Sequence, residues 1–147
     1  MALYMETTKI AAEKTAAEIS NLLAMAGAQQ VMTDYENGQA TGLTFAMDVG
    51  GNRIGFKLPV RTGAVFVALN KKRSPKTRDK MSGSDHEQAH RVAWRQVLKW
   101  VQAQLALIET GMVKTQEVFM PYACLGNGQT LYEKLEATKF KALPAPE

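Results

Sequence analysis

Cysteine is nearly absent from this 147-residue chain: Cys124 stands alone, without a partner for a disulfide and without a CxxC or Cys/His cluster around it. A reducing compartment, the cytoplasm, fits that usage, and a lone thiol of this kind reads as a core residue. No apolar run approaches the ~20 residues of a membrane-spanning helix. Met1 to Lys9 lacks a basic start followed by an apolar stretch, so neither a membrane nor secretion is expected. Also missing are a GxSxG elbow, a Walker or GxGxxG loop, and any Cys/His pair that the sequence places together. No catalytic residue and no cofactor is therefore expected. Internal repeats and low-complexity segments are absent, and the length suits one domain able to bury a core without disulfides or a structural metal.

What is present is patterned. Ser84 to Thr110 is the longest helical stretch, with Trp94, Val97, Leu98, Val101, Leu105 and Ile108 at three- and four-residue spacing. Ser84 with Glu87 reads as a capping box at its start, and Gly111 as its stop. Trp100, Ala103, Ala106 and Leu107 widen the apolar surface, so the C-terminal half is expected to be covered on more than one side. Thr8 to Ala26 reads as a first helix ended by Gly27. Gln30 to Glu36, then Leu43 to Val49, then Ile54 to Val60 read as strands, joined by Asn37-Gly38 and Gly50-Gly51-Asn52, with Pro59 closing the third. The fold class that follows is α+β: a three-stranded antiparallel meander packed by an N-terminal helix and a long C-terminal helix. Trp94 is expected against the sheet face of Phe45, Met47, Ile54 and Phe56.

Thr62 to Asn70 is ambiguous between strand and helix, with the helix, capped by Thr62, favoured. Thr115 to Phe119 reads as a short helix ended by Pro121, and Thr130 with Glu133 as the capping box of a last helix through Ala137. Residues 71–83 read as an exposed basic loop and 143–147 as a frayed tail. Met25, Met32, Met47, Met81 and Met112 are scattered and read as core fillers.

The net charge of +4 is unevenly spread. Lys71, Lys72, Arg73, Lys76, Arg78 and Lys80 cluster in the loop, and Arg91, Arg95 and Lys99 recur every fourth residue along one face of the following helix, beside Gln88 and Gln102. If that face is a solvated ridge, loop and ridge form one phosphate-binding surface, so DNA or RNA is the expected partner. A protein partner or a second copy, held by the apolar surplus around Trp100 and Leu107, is the alternative. A third reading comes from His86-Glu87-Gln88-Ala89-His90, which matches the H-E-x-x-H of zinc hydrolases. The third ligand at the spacing of such enzymes would be Glu109. Nineteen rises of ~1.5 Å along an unbroken helix put it about 28 Å from His90. An exposed histidine pair with only adventitious affinity for metal is the expectation.

WRQVLKWVQAQLALIETGMV from Trp94, then EVFMPYA and GQTLYEKL, resembles a family of small uncharacterised proteins of bacteriophages and prophages. The resemblance covers the C-terminal third and, more weakly, the strand-like middle. It implies an accessory protein acting in the cytoplasm of a host cell and carries no activity to transfer. The order helix, meander, helix is also similar in topology to double-stranded RNA-binding domains and to the core of single-strand annealing proteins, without their sequence motifs.

Overall fold

Two tight turns set the sheet. Asn37 and Gly38 both take positive φ (52° and 78°), as do Gly50 and Gly51 (57° and 86°), the conformation that a two-residue hairpin between twisted strands demands. The computed structural model describes residues 2–73 and 83–146. These turns join β1 (Gln30–Glu36), β2 (Gln39–Val49) and β3 (Asn52–Lys57) into an antiparallel sheet of order β1-β2-β3. Phe45 pairs with Val31 on one side and Phe56 on the other, and the register slips once, between Asp34 and Tyr35. The third strand ends before Leu58-Pro59, where a ladder donor is lost.

The remaining elements are α1 (Ala12–Met25), α2 (Thr62–Lys71), α3 (Gly83–Glu109), α4 (Thr115–Phe119), a 3-10 turn at Met120–Tyr122 and α5 (Leu131–Ala137). Helix α1 starts later than Thr8, whose hydroxyl accepts from the Ile10 amide and holds the preceding backbone in a turn. The ambiguous stretch is a helix, α2. Thr62 is its first residue and makes no cap, because its hydroxyl is turned toward α3. The basic loop is shorter than read, since Lys71 closes α2 and Gly83 opens α3; Lys76, Arg78 and Lys80, like Met81, lie outside the described residues. Thr130 and Glu133 form the expected reciprocal cap of α5.

The apolar stripes meet as their spacing requires. Ala12, Ala16, Ile19 and Leu23 of α1, Leu43, Phe45, Phe56 and Leu58 of the sheet region, and Trp94, Val97, Leu98 and Val101 of α3 join Phe119 in a buried cluster. Phe45 stacks on Phe56 at 5.2 Å between ring centroids and meets Phe119 edge-on at 5.3 Å. Each ring is worth about 1.5–3 kcal/mol by burial alone, far more than an exposed ion pair at about 0–1 kcal/mol. Trp94 is wholly buried, and its indole N–H donates to the Ala40 carbonyl at 3.0 Å, which locks α3 to β2.

The residues before α1 form a strap across α3. Gln96 Nε2 donates to the Tyr4 carbonyl (2.8 Å), and Gln88 Nε2 to the carbonyls of Glu6 (2.8 Å) and Thr8 (2.9 Å). With the strap on one side, α2 on another and the sheet and α1 on the rest, Ala89, Val92 and Trp94 are all buried although they point in different directions. The expected solvated ridge is thereby corrected. From Gln88 to Val97 the helix is covered on that side, because the strap and α1 partly bury the face that carries Gln88, Arg91 and Arg95. The second half is the more open one: Trp100 packs edge-on against Phe119 and Tyr122, but Ala103, Ala106 and Leu107 are exposed.

Two further readings change for the same reason, that position in the fold and not residue type decides burial. Met25, Met32 and Met112 are exposed, at 85%, 58% and 67%. Cys124 is exposed too, because the chain after the 3-10 turn runs along β3 as an outer edge, with the Cys124 amide donating to the Gly55 carbonyl at 2.7 Å.

Removing the central indole tests the assignment of the buried face. Trp94→Ala should cost about 3–5 kcal/mol, read as a shift of the denaturant midpoint at unchanged slope. Trp100→Ala, at a partly exposed position, should cost clearly less. Equal losses would mean that the core is not built around Trp94.

Candidate functional site

The cations singled out from sequence are largely engaged within the fold. Lys72 Nζ pairs with Glu6 at 2.9 Å and Arg73 with Asp85 at 3.1 Å, tying the end of α2 to the strap and to the first turn of α3. Arg91 donates through Nε (3.0 Å) and Nη2 (2.6 Å) to Gln88 Oε1. Arg95 donates to Glu18 at 2.9 Å and to the Thr15 hydroxyl at 3.3 Å, and only 11% of its side chain is exposed. It is a link between α3 and α1, not a surface charge. Lys71 is exposed and hydrogen-bonded or otherwise engaged, and Lys99 makes no ion pair among the described residues.

The H-E-x-x-H histidines are separated by environment. His86 lies on the surface, its ring stacked flat on Phe66 of α2 with centroids 3.8 Å apart. His90, expected to be exposed, is buried: its Nδ1 shares a 3.1 Å hydrogen bond with Thr62 Oγ1, the donor set by the ring tautomer. Its Nε2 is buried without a hydrogen-bond partner among the described residues. Burial holds the imidazole below its ordinary pKa, opposed by the Glu13 carboxylate and the Ala40 backbone. No group of three His, Cys, Asp or Glu with metal-ligand geometry occurs among the described residues. Glu109, the third ligand of that motif, closes the far end of α3.

What the fold does assemble is a furrow between α2, α3 and the 3-10 turn. A hollow of about 360 Å³ is lined by Arg61, Ala64 and Val65 at the start of α2, by Ala93, Gln96, Val97 and Trp100 along α3, and by Pro59 and Tyr122. A second hollow of about 230 Å³ shares Pro59, Arg61 and Tyr122 with the first and adds Lys57, Thr130 and Glu133. The bridge of Ala123 to Phe56 holds Tyr122 here, at the closed end of β3. Trp100 meets Tyr122 at 5.6 Å and 77°. Arg61 and Lys57 are exposed and make no ion pair among the described residues. Arg61 precedes the first residue of helix α2, which has neither a side-chain cap nor an acid in its first turn, so the positive end of its dipole adds to the local potential. The furrow's one acid, Glu133, accepts from the amide and the hydroxyl of Thr130, both at 3.0 Å, and these bonds, with the nearby charges of Lys57 and Arg61, hold its carboxyl below the ordinary range.

This furrow was not assembled by sequence reasoning. Its residues come from four separated stretches, and its one local signal was Trp100, an aromatic residue outside the buried stripe. No family model matches the chain, and neither a curated protein nor a solved structure does.

The His90 environment carries a sign. A base whose folded pKa is depressed binds fewer protons folded than unfolded, so its contribution is present above the unfolded value near 6.5 and is lost as pH falls through the folded one. The chain should therefore lose stability between about pH 7.5 and about pH 5. His90→Gln should flatten that stretch of the unfolding midpoint against pH, whereas His86→Gln should leave it as it is. A flat profile in the wild type would contradict the burial described.

Proposed function

We propose that this chain is a binding protein without catalysis, an accessory protein of phage or prophage type acting in the host cytoplasm, whose partner is nucleic acid held in the Arg61–Trp100–Tyr122 furrow. The observation that carries the reading is the juxtaposition there of two exposed cations, Arg61 and Lys57, which make no ion pair among the described residues and outnumber the neighbouring Glu133, with two partly exposed aromatic rings. Phosphates are attracted by unpaired cations, and bases by aromatic surface. The overall charge of +4, much of it between Lys71 and Lys80, supports attraction of a polyanion at longer range. The readings of loop and ridge as the contact surface give way to the furrow because Lys72, Arg73, Arg91 and Arg95 are engaged internally. Chemistry at the histidines is disfavoured by their opposite settings, one ring on Phe66 and the other inside against Thr62.

One observation favours a second reading, self-association or a protein partner. Leu22, Met25 and Ala26 of α1 face Leu105 and Ile108 of α3 across an open groove of about 430 Å³, and Met25 is 85% exposed. Exposed apolar surface of this kind marks contact sites.

Binding to DNA or RNA should be measurable at low ionic strength and should weaken with salt, its logarithmic slope falling by about 0.7 for each single-strand phosphate contact removed. Lys57→Ala with Arg61→Ala should flatten the slope, with little change in sequence preference. Lys139→Glu is the remote control. A wild-type protein with no affinity for either nucleic acid, in single- or double-stranded form, sinks this reading. Concentration-dependent mass in light scattering, abolished by Met25→Lys, would then favour the second.

A further inference from the structure

We propose that the furrow takes a single strand, with one base lodged against Trp100 and Tyr122 and the flanking phosphates on Arg61 and Lys57. The assignment rests on the nucleic-acid reading above and narrows it to the form of the ligand. In a duplex the faces of the bases are hidden in the stack and only their edges are offered, whereas an unpaired strand can splay a base onto an aromatic side chain. The first hollow is built to receive a face. Its floor is apolar, from Ala64, Val65, Ala93 and Val97, and its wall is Trp100. Both rings in contact with that indole, Phe119 at 82° and Tyr122 at 77°, stand nearly perpendicular to it. No ring among the described residues stacks flat on Trp100, and the indole is only partly buried at the edge of this hollow.

The polar groups around the hollow select charge more than sequence. Arg61 stands in the wall of both hollows, between the aromatic corner and Lys57, so a backbone crossing the Pro59–Tyr122 saddle meets both cations in turn. Glu133 in the second hollow is outnumbered by them, and one of its carboxylate oxygens serves the α5 cap. Gln96 has one Nε2 hydrogen committed to the Tyr4 carbonyl and keeps its second N–H and its Oε1. A single amide with one donor and an acceptor gives at most a weak base preference, in keeping with stacking as the main contact.

Trp94 is wholly enclosed, so changes in tryptophan fluorescence on binding report Trp100. The wild-type chain is titrated at low salt with a short oligothymidylate, with the same backbone lacking its bases, and with a duplex. The single strand should quench the fluorescence and bind about tenfold or more tightly than the abasic strand, the usual scale for one stacked base, and more tightly than the duplex. Trp100→Leu should abolish the difference between base-bearing and abasic strands, and Arg61→Ala should weaken both alike. If Trp100→Leu fails to fold, the wild-type comparison of base-bearing with abasic strand decides alone. Equal affinity for base-bearing and abasic strands, or duplex binding as tight as single-strand binding without quenching, overturns the single-strand assignment while leaving the nucleic-acid reading standing. Absence of binding to all three removes both.

Discussion

The stretch of α3 from Ala89 to Val97 has to be covered on several sides. His90, Val92, Ala93, Trp94 and Val97 are buried within eight consecutive residues, more than one helix face can present to a single neighbour. The sheet and α1 take one side, α2 a second, and the strap at Tyr4 to Thr8 a third. Most polar groups caught inside this wrapping find partners, since an unpaired buried donor or acceptor costs about 1–3 kcal/mol, His90 Nε2 and Arg95 Nε being the exceptions among the described residues. The Gln88 amide illustrates how: its nitrogen serves two strap carbonyls and its oxygen two Arg91 donors, so all its bonding capacity is used inside the fold.

The elements that sequence revealed are those whose cause is local. Asn37-Gly38 makes a hairpin because of its own backbone preference, Thr130 and Glu133 cap α5 across three residues, and the Trp94-to-Val101 stripe follows from helical spacing. What escaped depends on contacts across the chain. Arg95 reads as a surface cation until Glu18, far away in sequence, is brought beside it. Cys124 and Met25 read as core from residue type, yet one sits on the outer edge of the sheet and the other beside an open groove. The furrow draws on Pro59, Arg61, Trp100 and Tyr122, which share no periodicity, so only the packing of α2 across α3 defines it.

The distribution of charge follows from the same wrapping. Counting cations along the sequence points to residues 71–99, but folding pairs several of them with Glu6, Asp85 and Glu18 and leaves Arg61 and Lys57 exposed, in no ion pair among the described residues, with Glu133 the one acid beside them. Availability of a cation, not its density, then decides where an anion can be held. The histidine motif teaches a parallel lesson. Two imidazoles one helical turn apart share a metal only if both face one space, and here Phe66 and Thr62 draw them into different ones.

The strap is gripped through its main chain. Gln88 and Gln96 bind the carbonyl oxygens of Tyr4, Glu6 and Thr8, groups that every residue type supplies in the same place. Substitutions among the strap's own side chains, the Glu6 pair with Lys72 apart, leave those bonds untouched, while a change at either glutamine removes the donor itself. Sequence drift is therefore cheaper on one partner than on the other: the exposed side chains of Tyr4 and Thr7 are free to vary, and positions 88 and 96 hold the register that lets them do so.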